Sequence, residues 1–170
     1  MNKLILKNIK LHEGLSDETP CYQATAYLGK TKIAHLENQG CGGSDSIGWE
    51  EGGEELWLAH AKEQGVDQSN KWHSYANLES CAHELVWNWA DERRLKRLLK
   101  STILISTDVK GSWTQLKVSK ANKERYGSME KIVDAHHVAL KKGTLWDIPS
   151  DRVMLNVLPF DEALKAFQTL

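Results

Sequence analysis

The 170-residue sequence has no apolar run near the ~20 residues that a bilayer crossing takes. Its opening, Met1-Asn2-Lys3, leads into the Lys-broken stretch Leu4 to Leu11 and not into a signal-peptide core, so a cytoplasmic protein is expected. Cysteine is sparse: Cys21, Cys41 and Cys81 are odd in number, far apart and never in a Cys-x-x-Cys pair, which argues against a disulfide framework and leaves reduced thiols. Nucleotide-loop signatures are missing too. In Gly40-Cys41-Gly42-Gly43-Ser44-Asp45 the third glycine of a dinucleotide fingerprint is replaced by Asp45, and no Lys-Ser or Lys-Thr follows to complete a P-loop. No cofactor is expected.

Net charge is also nearly absent, 22 Lys and Arg against 23 Asp and Glu, yet the signs are segregated along the chain. Residues 1–92 carry net −8, residues 93–142 net +9 and residues 143–170 net −2. Such polarity supplies an acidic and a basic surface, each attracting a partner of opposite sign, unless the two neutralise one another internally. With 41% apolar residues, the length suits one globular domain spanning 1–170.

Strands dominate the first part. Leu4 to Leu11 reads as a strand, as do Cys21 to Leu28 and Thr31 to Asn38. The last two are joined by Gly29-Lys30, a pair suited to a type II′ hairpin turn. That turn predicts Leu28 opposite Thr31, Ala26 opposite Ile33, Ala24 opposite His35 and Tyr22 opposite Glu37. The glycine-rich segment 38–45 ends the meander as an irregular turn, with a backbone anion nest as the alternative.

Helices follow. Glu54 to Gln64 is a short helix with Leu56, Ala59, His60 and Glu63 at helical spacing, and Glu50, Glu51, Glu54 and Glu55 crowd its start, where the macrodipole favours acids. Ser74 to Lys100, with Ser74 as N-cap, is a long amphipathic helix carrying Arg93, Arg94, Lys96, Arg97 and Lys100 in its last turns, a ridge suited to phosphates with Trp87 and Trp89 upstream. A second hairpin is expected from 102–107 and 113–119, looping through 108–112. A helix over 128–142 presents Met129, Ile132, Val133, His136 and Leu140 on one face. Pro159 opens a terminal helix with Phe160, Ala163, Leu164 and Phe167 facing inward. Seven tryptophans are read as mostly core, with one or two available to anchor a partner.

Metal and catalytic readings find little support. His136 and His137 are adjacent, and Cys81 and His83 lie two apart on a helix, so neither pair shares a face and no metal is expected. Cys41 in its glycine-rich loop is the single candidate nucleophile, with no identifiable base beside it.

Three stretches carry a resemblance: Leu4-Ile5-Leu6-Lys7-Asn8-Ile9-Lys10, Asn38-x-Gly40-x-Gly42-Gly43, and Leu155-Asn156-x-Leu158-Pro159-Phe160-Asp161-Glu162-Ala163-Leu164. Together they resemble a family of small uncharacterised proteins from phages, plasmids and integrated elements of bacteria. The resemblance implies a genomic setting in which small proteins often act as binding inhibitors of host defence, CRISPR effectors and restriction systems included. The expectation is an α+β domain whose antiparallel meander and second hairpin pack against a long helix and shorter ones. Its function would be binding and not catalysis, directed at a host or viral protein complex, nucleoproteins among them. The acidic contact or phosphate mimic would be Glu50, Glu51, Glu54 and Glu55. The alternative is a nucleic-acid or nucleotide-binding module using Arg93, Arg94, Arg97, Lys100, Lys117, Lys120, Lys123 and Arg125.

Overall fold

The computed structural model describes residues 2–107, 112–146 and 148–168. The architecture is α+β, and the chain divides into two compact units, Met1–Ala90 and Asp91–Leu170.

In the first unit, β1 (Leu4–Leu11), β2 (Cys21–Leu28), β3 (Thr31–Gln39) and β4 (Ser46–Trp49) form an antiparallel sheet in sequential order. The turn between β2 and β3 is as expected for type II′, with positive φ at Gly29 and not at Lys30. Leu28 faces Thr31 and Tyr27 faces Lys32, but from there the pairing departs from the sequence expectation: Ala26 faces Ala34, Ala24 faces Leu36 and Tyr22 faces Asn38. The cause is a bulge at Ile33. Because the extra residue flips the side-chain alternation, Ile33 and Ala34 are both fully buried, which a regular strand would not allow. The bulge leaves the Ile33 carbonyl outside the β2–β3 ladder, and the Glu50 amide donates to it at 2.9 Å. A second irregularity in β1 falls at Asn8, whose φ of 54° is one that asparagine tolerates better than most side chains.

Strand β4 follows the glycine-rich segment, in a stretch for which the sequence suggested no element. With Ser46-Ile47-Gly48-Trp49 it is short and carries a glycine, so it has little intrinsic strand signal. After it come α1 (Gly53–Glu63) and α2 (Lys71–Leu99). The face of α1 differs from expectation. Trp57 and Ala61 are buried while Leu56 is exposed, because the Trp57 indole N–H reaches the Ser74 carbonyl of α2 at 2.7 Å and pins that side inward. Helix α2 starts three residues before Ser74, which is fully buried and not a cap. Instead Asn70 accepts from the Trp72 amide at 3.0 Å. Leu78, Ala82 and Val86 of α2 pack with Tyr22, Ala24, Ile33, Leu36 and Trp57 as this unit's core.

The boundary between the units falls within α2. In the second unit, β5 (Thr102–Ser106) and β6 (Trp113–Lys117) form the expected hairpin, with Thr102 opposite Lys117 and Ser106 opposite Trp113; loop residues 108–111 lie outside the described residues. An unanticipated short helix, α3 (Lys120–Tyr126), follows, capped by Ser119, whose hydroxyl accepts from the Asn122 amide, and ended by Gly127 in the left-handed region. Helix α4 (Met129–Lys141) has Ser128 as its N-cap and buries Ile132, Val133 and Leu140 against Ile103, Ile105 and Met154. Helix α5 (Phe160–Gln168) buries Ala163 and Phe167 with Leu95, Leu104 and Leu155, as its apolar stripe predicts. Asn156 ties this core together: its amide donates to the Thr102 carbonyl at 2.9 Å and its oxygen accepts from the Leu104 amide at 2.8 Å.

Of the seven tryptophans only Trp57 is fully buried, and Trp72, Trp87 and Trp146 are exposed, against the expectation that most belong to the core.

Gly53 abuts the bulge so closely that a Cβ there would sit 2.0 Å from the Ile33 carbonyl oxygen. Gly53→Ala is therefore expected to destabilise the first unit by about 1–3 kcal/mol, as overpacking against a fixed backbone does, read as a lower urea midpoint in the tryptophan emission.

Candidate functional site

The first unit contains a buried polar cluster that begins at Asn38, the last inward-facing residue of β3. Its side-chain oxygen accepts from the Gly40 amide and the Thr19 hydroxyl, both at 2.8 Å, while its NH2 donates to the Gly43 carbonyl at 2.8 Å and to Asp45 Oδ1 at 2.9 Å. Asn38 thus shapes the glycine-rich segment and aims Asp45 inward. Gly40 is required within that segment: its φ is +87°, and a Cβ would lie 2.2 Å from the Leu15 carbonyl oxygen.

The Asp45 side chain is only 1% exposed. A carboxylate held that far from water needs several donors, and it has three: Asn38, the Tyr22 hydroxyl on Oδ2, and His83 Nε2 on Oδ1 at 2.9 Å. The Tyr22 ring meets the His83 ring edge-on at 5.8 Å. Burial, then the Asp45 carboxylate, push the Tyr22 hydroxyl far above the ordinary tyrosine range, so it stays a donor. Glu79 stands one helical turn before His83 on α2, and its carboxyl is raised first by burial and then by Asp45, with His83 and the Asp45 amide opposing. Asp45, Glu79 and His83 hold their ligand atoms within 4.8 Å of one another.

Sequence reasoning missed this cluster because it tested only cysteine and histidine pairs. The signal was present: Glu79 and His83 are four apart and so share a helix face. Asp45 carries no such signal, since its partner elements lie 23 and 38 residues away.

The acidic candidates do not act as one group. Glu50 pairs with Lys32, and Glu54 takes Lys71 at 2.8 Å and the Tyr75 hydroxyl, whereas Glu51 and Glu55 are exposed. Lys71, then Tyr75, hold the Glu54 carboxyl below the ordinary glutamate range. Cys41 is exposed, and its one hydrogen-bond partner among the described residues is the Gln39 carbonyl at 3.7 Å.

The basic candidates all lie in the second unit and are all exposed. At roughly 100° per residue, Arg93, Arg97 and Lys100 share the α2 face opposite buried Leu95. The Val118 amide donates to the Ser101 carbonyl at 2.8 Å, which sets Lys117 and the start of α3 beside the end of α2. Lys120 and Lys123 share a face of α3, and Lys120 lies 3.9 Å from Glu124. Two candidates point elsewhere: Arg94 lies over the Phe167 ring and Arg125 over Tyr126. Trp87 is exposed and Trp89 half-buried, and both belong to the first unit.

Comparison of the chain with protein-family models, with curated proteins and with solved structures finds no match. Among the described residues no helix is long and apolar enough to cross a membrane.

Tyr22→Phe removes a hydrogen bond to a buried charge and is expected to cost about 1.5–3 kcal/mol, measured by urea unfolding. The Glu54 tie has a definite pH sign. Because its folded value is depressed, its stabilisation is present above the ordinary glutamate range and is lost as pH falls through the lower, folded value. Glu54→Gln should therefore flatten the acid limb of the stability–pH curve, and an unchanged limb would show that the tie contributes nothing.

Proposed function

We propose that this protein acts by binding, and that the cationic face of residues 91–170 is its contact surface for a nucleic-acid-bearing partner. The observation that supports this reading is the grouping of Arg93, Arg97, Lys100, Lys117, Lys120 and Lys123, all exposed, on the end of α2, the end of β6 and the start of α3. Charge counts agree: the 91–170 unit has 15 Lys and Arg against 10 Asp and Glu, net +5, while the 1–90 unit has 7 against 13, net −6. Phosphate recognition depends on such fields and needs no pocket.

In the setting implied by the resemblance to proteins of phages and plasmids, the partner would be a nucleoprotein of bacterial defence such as a CRISPR effector, and binding would inhibit it. The rival version, in which Glu50, Glu51, Glu54 and Glu55 mimic phosphates, is less supported, because Glu50 and Glu54 already pair with Lys32 and Lys71.

Fluorescence anisotropy with labelled single-stranded DNA, duplex DNA and RNA over a salt series tests the proposal. Binding should weaken steeply with salt, by about 0.7–0.9 logarithmic units per logarithmic unit of salt for each phosphate neutralised. The triple change Arg93→Glu, Arg97→Glu, Lys100→Glu should reduce affinity at least tenfold with an unchanged circular dichroism spectrum. Equal affinity in wild type and triple variant, or no binding to any of the three probes at low salt, would refute it.

A further inference from the structure

We infer that Asp45, Glu79 and His83 form a binding site for a divalent transition-metal ion of the zinc–manganese class. This goes beyond the cationic contact surface and stands on different residues in the other unit, so either can fail without the other.

The donor set comes first. Two carboxylates and one imidazole offer one ligand atom each, all within 4.8 Å of one another, from two separate parts of the unit. Ligand atoms of a tetrahedral site with bonds of about 2.0–2.2 Å lie roughly 3.4 Å apart, so His83 Nε2 and Asp45 Oδ1, now 2.9 Å apart, must open slightly while the half-buried Glu79 adjusts its outer end. Imidazole with carboxylates suits zinc, manganese or iron better than magnesium or calcium. Three protein ligands leave coordination positions for water or a further ligand.

Charge balance is the second argument. Two carboxyl groups converge with a single imidazole, and one of the two, Asp45, is almost wholly buried. Among the described residues no Lys or Arg pairs with Asp45 or Glu79. A divalent cation supplies the missing positive charge at the place where His83 Nε2 now meets Asp45 Oδ1.

Preorganisation is the third. Outer partners that fix the ligands are a regular part of metal sites, and Asp45 is oriented by Tyr22 and by Asn38, which is itself fixed by Thr19 and Gly40. Glu79 and His83 are held at helical spacing on α2. Because the hydrogen-bond network closes through His83, the fold holds the three ligands near one another before a cation arrives.

The test uses the full chain, freed of metal by a chelator and then titrated with Mn2+ followed by electron paramagnetic resonance and with Zn2+ followed by calorimetry. One equivalent of each is expected, with at least a tenfold loss of affinity in Glu79→Gln and His83→Gln and a smaller loss in Tyr22→Phe. Co2+ substitution in the wild type should give a spectrum without a thiolate charge-transfer band. That measurement decides against capture by Cys21, Cys41 or Cys81 even if a variant fails to fold. Binding below one equivalent, a thiolate band, or unchanged affinity in folded Glu79→Gln would overturn the proposal.

Discussion

A carboxylate removed from water organises the first unit. Asp45 can be buried only because three donors reach it, and those donors come from β2, the end of β3 and the middle of α2. Satisfying one charge therefore joins sheet, loop and helix at a single point. It also explains why the glycine-rich segment folds as it does: Asn38 must turn its amide toward Asp45 while bonding the backbone at Gly40 and Gly43. Half-satisfied, such a network would be worse than an apolar core, so its members stand or fall together.

The fold was legible in the sequence wherever a local rule sufficed. The short apolar-rich run Leu4 to Leu11 gave β1, Gly29-Lys30 gave the turn, and the stripes of α4 and α5 gave their buried faces. Failures came where tertiary contacts decided. The β2–β3 register slipped by one because the protein buries both Ile33 and Ala34, which period-two alternation cannot encode. The α1 face was misjudged because Trp57 is drawn inward by a carbonyl 17 residues away. Strand β4 exists through pairing with β3 and not through its own propensity, and α3 is a seven-residue helix held by its caps.

The candidate sites divide in the same way. Exposure of the basic residues followed from helix periodicity, since the apolar stripe of α2 leaves Arg93, Arg97 and Lys100 on the far side. The acidic group looked unified in sequence but is split by Lys32, Lys71 and Tyr75, which no spacing rule anticipates. The Asp45 cluster was half legible, through Glu79 and His83. Two of the three asparagines in the resembling stretches prove to be hydrogen-bond hubs, Asn38 for the glycine-rich segment and Asn156 for β5, so what those two stretches specify here is backbone geometry.

A two-stranded ribbon offers two edges on which a foreign strand could add. Along β5 that opportunity is closed from within: Asn156 takes the backbone groups of Thr102 and Leu104, Met154 bridges Ile105, and the Ser106 amide donates to the Val153 carbonyl. Growth of the ribbon by strand addition is thereby confined to the β6 side, where the exposed Lys117 discourages stacking of like chains. The segment 153–156 thus fills the hydrogen-bonding edge of β5 that an added strand would need.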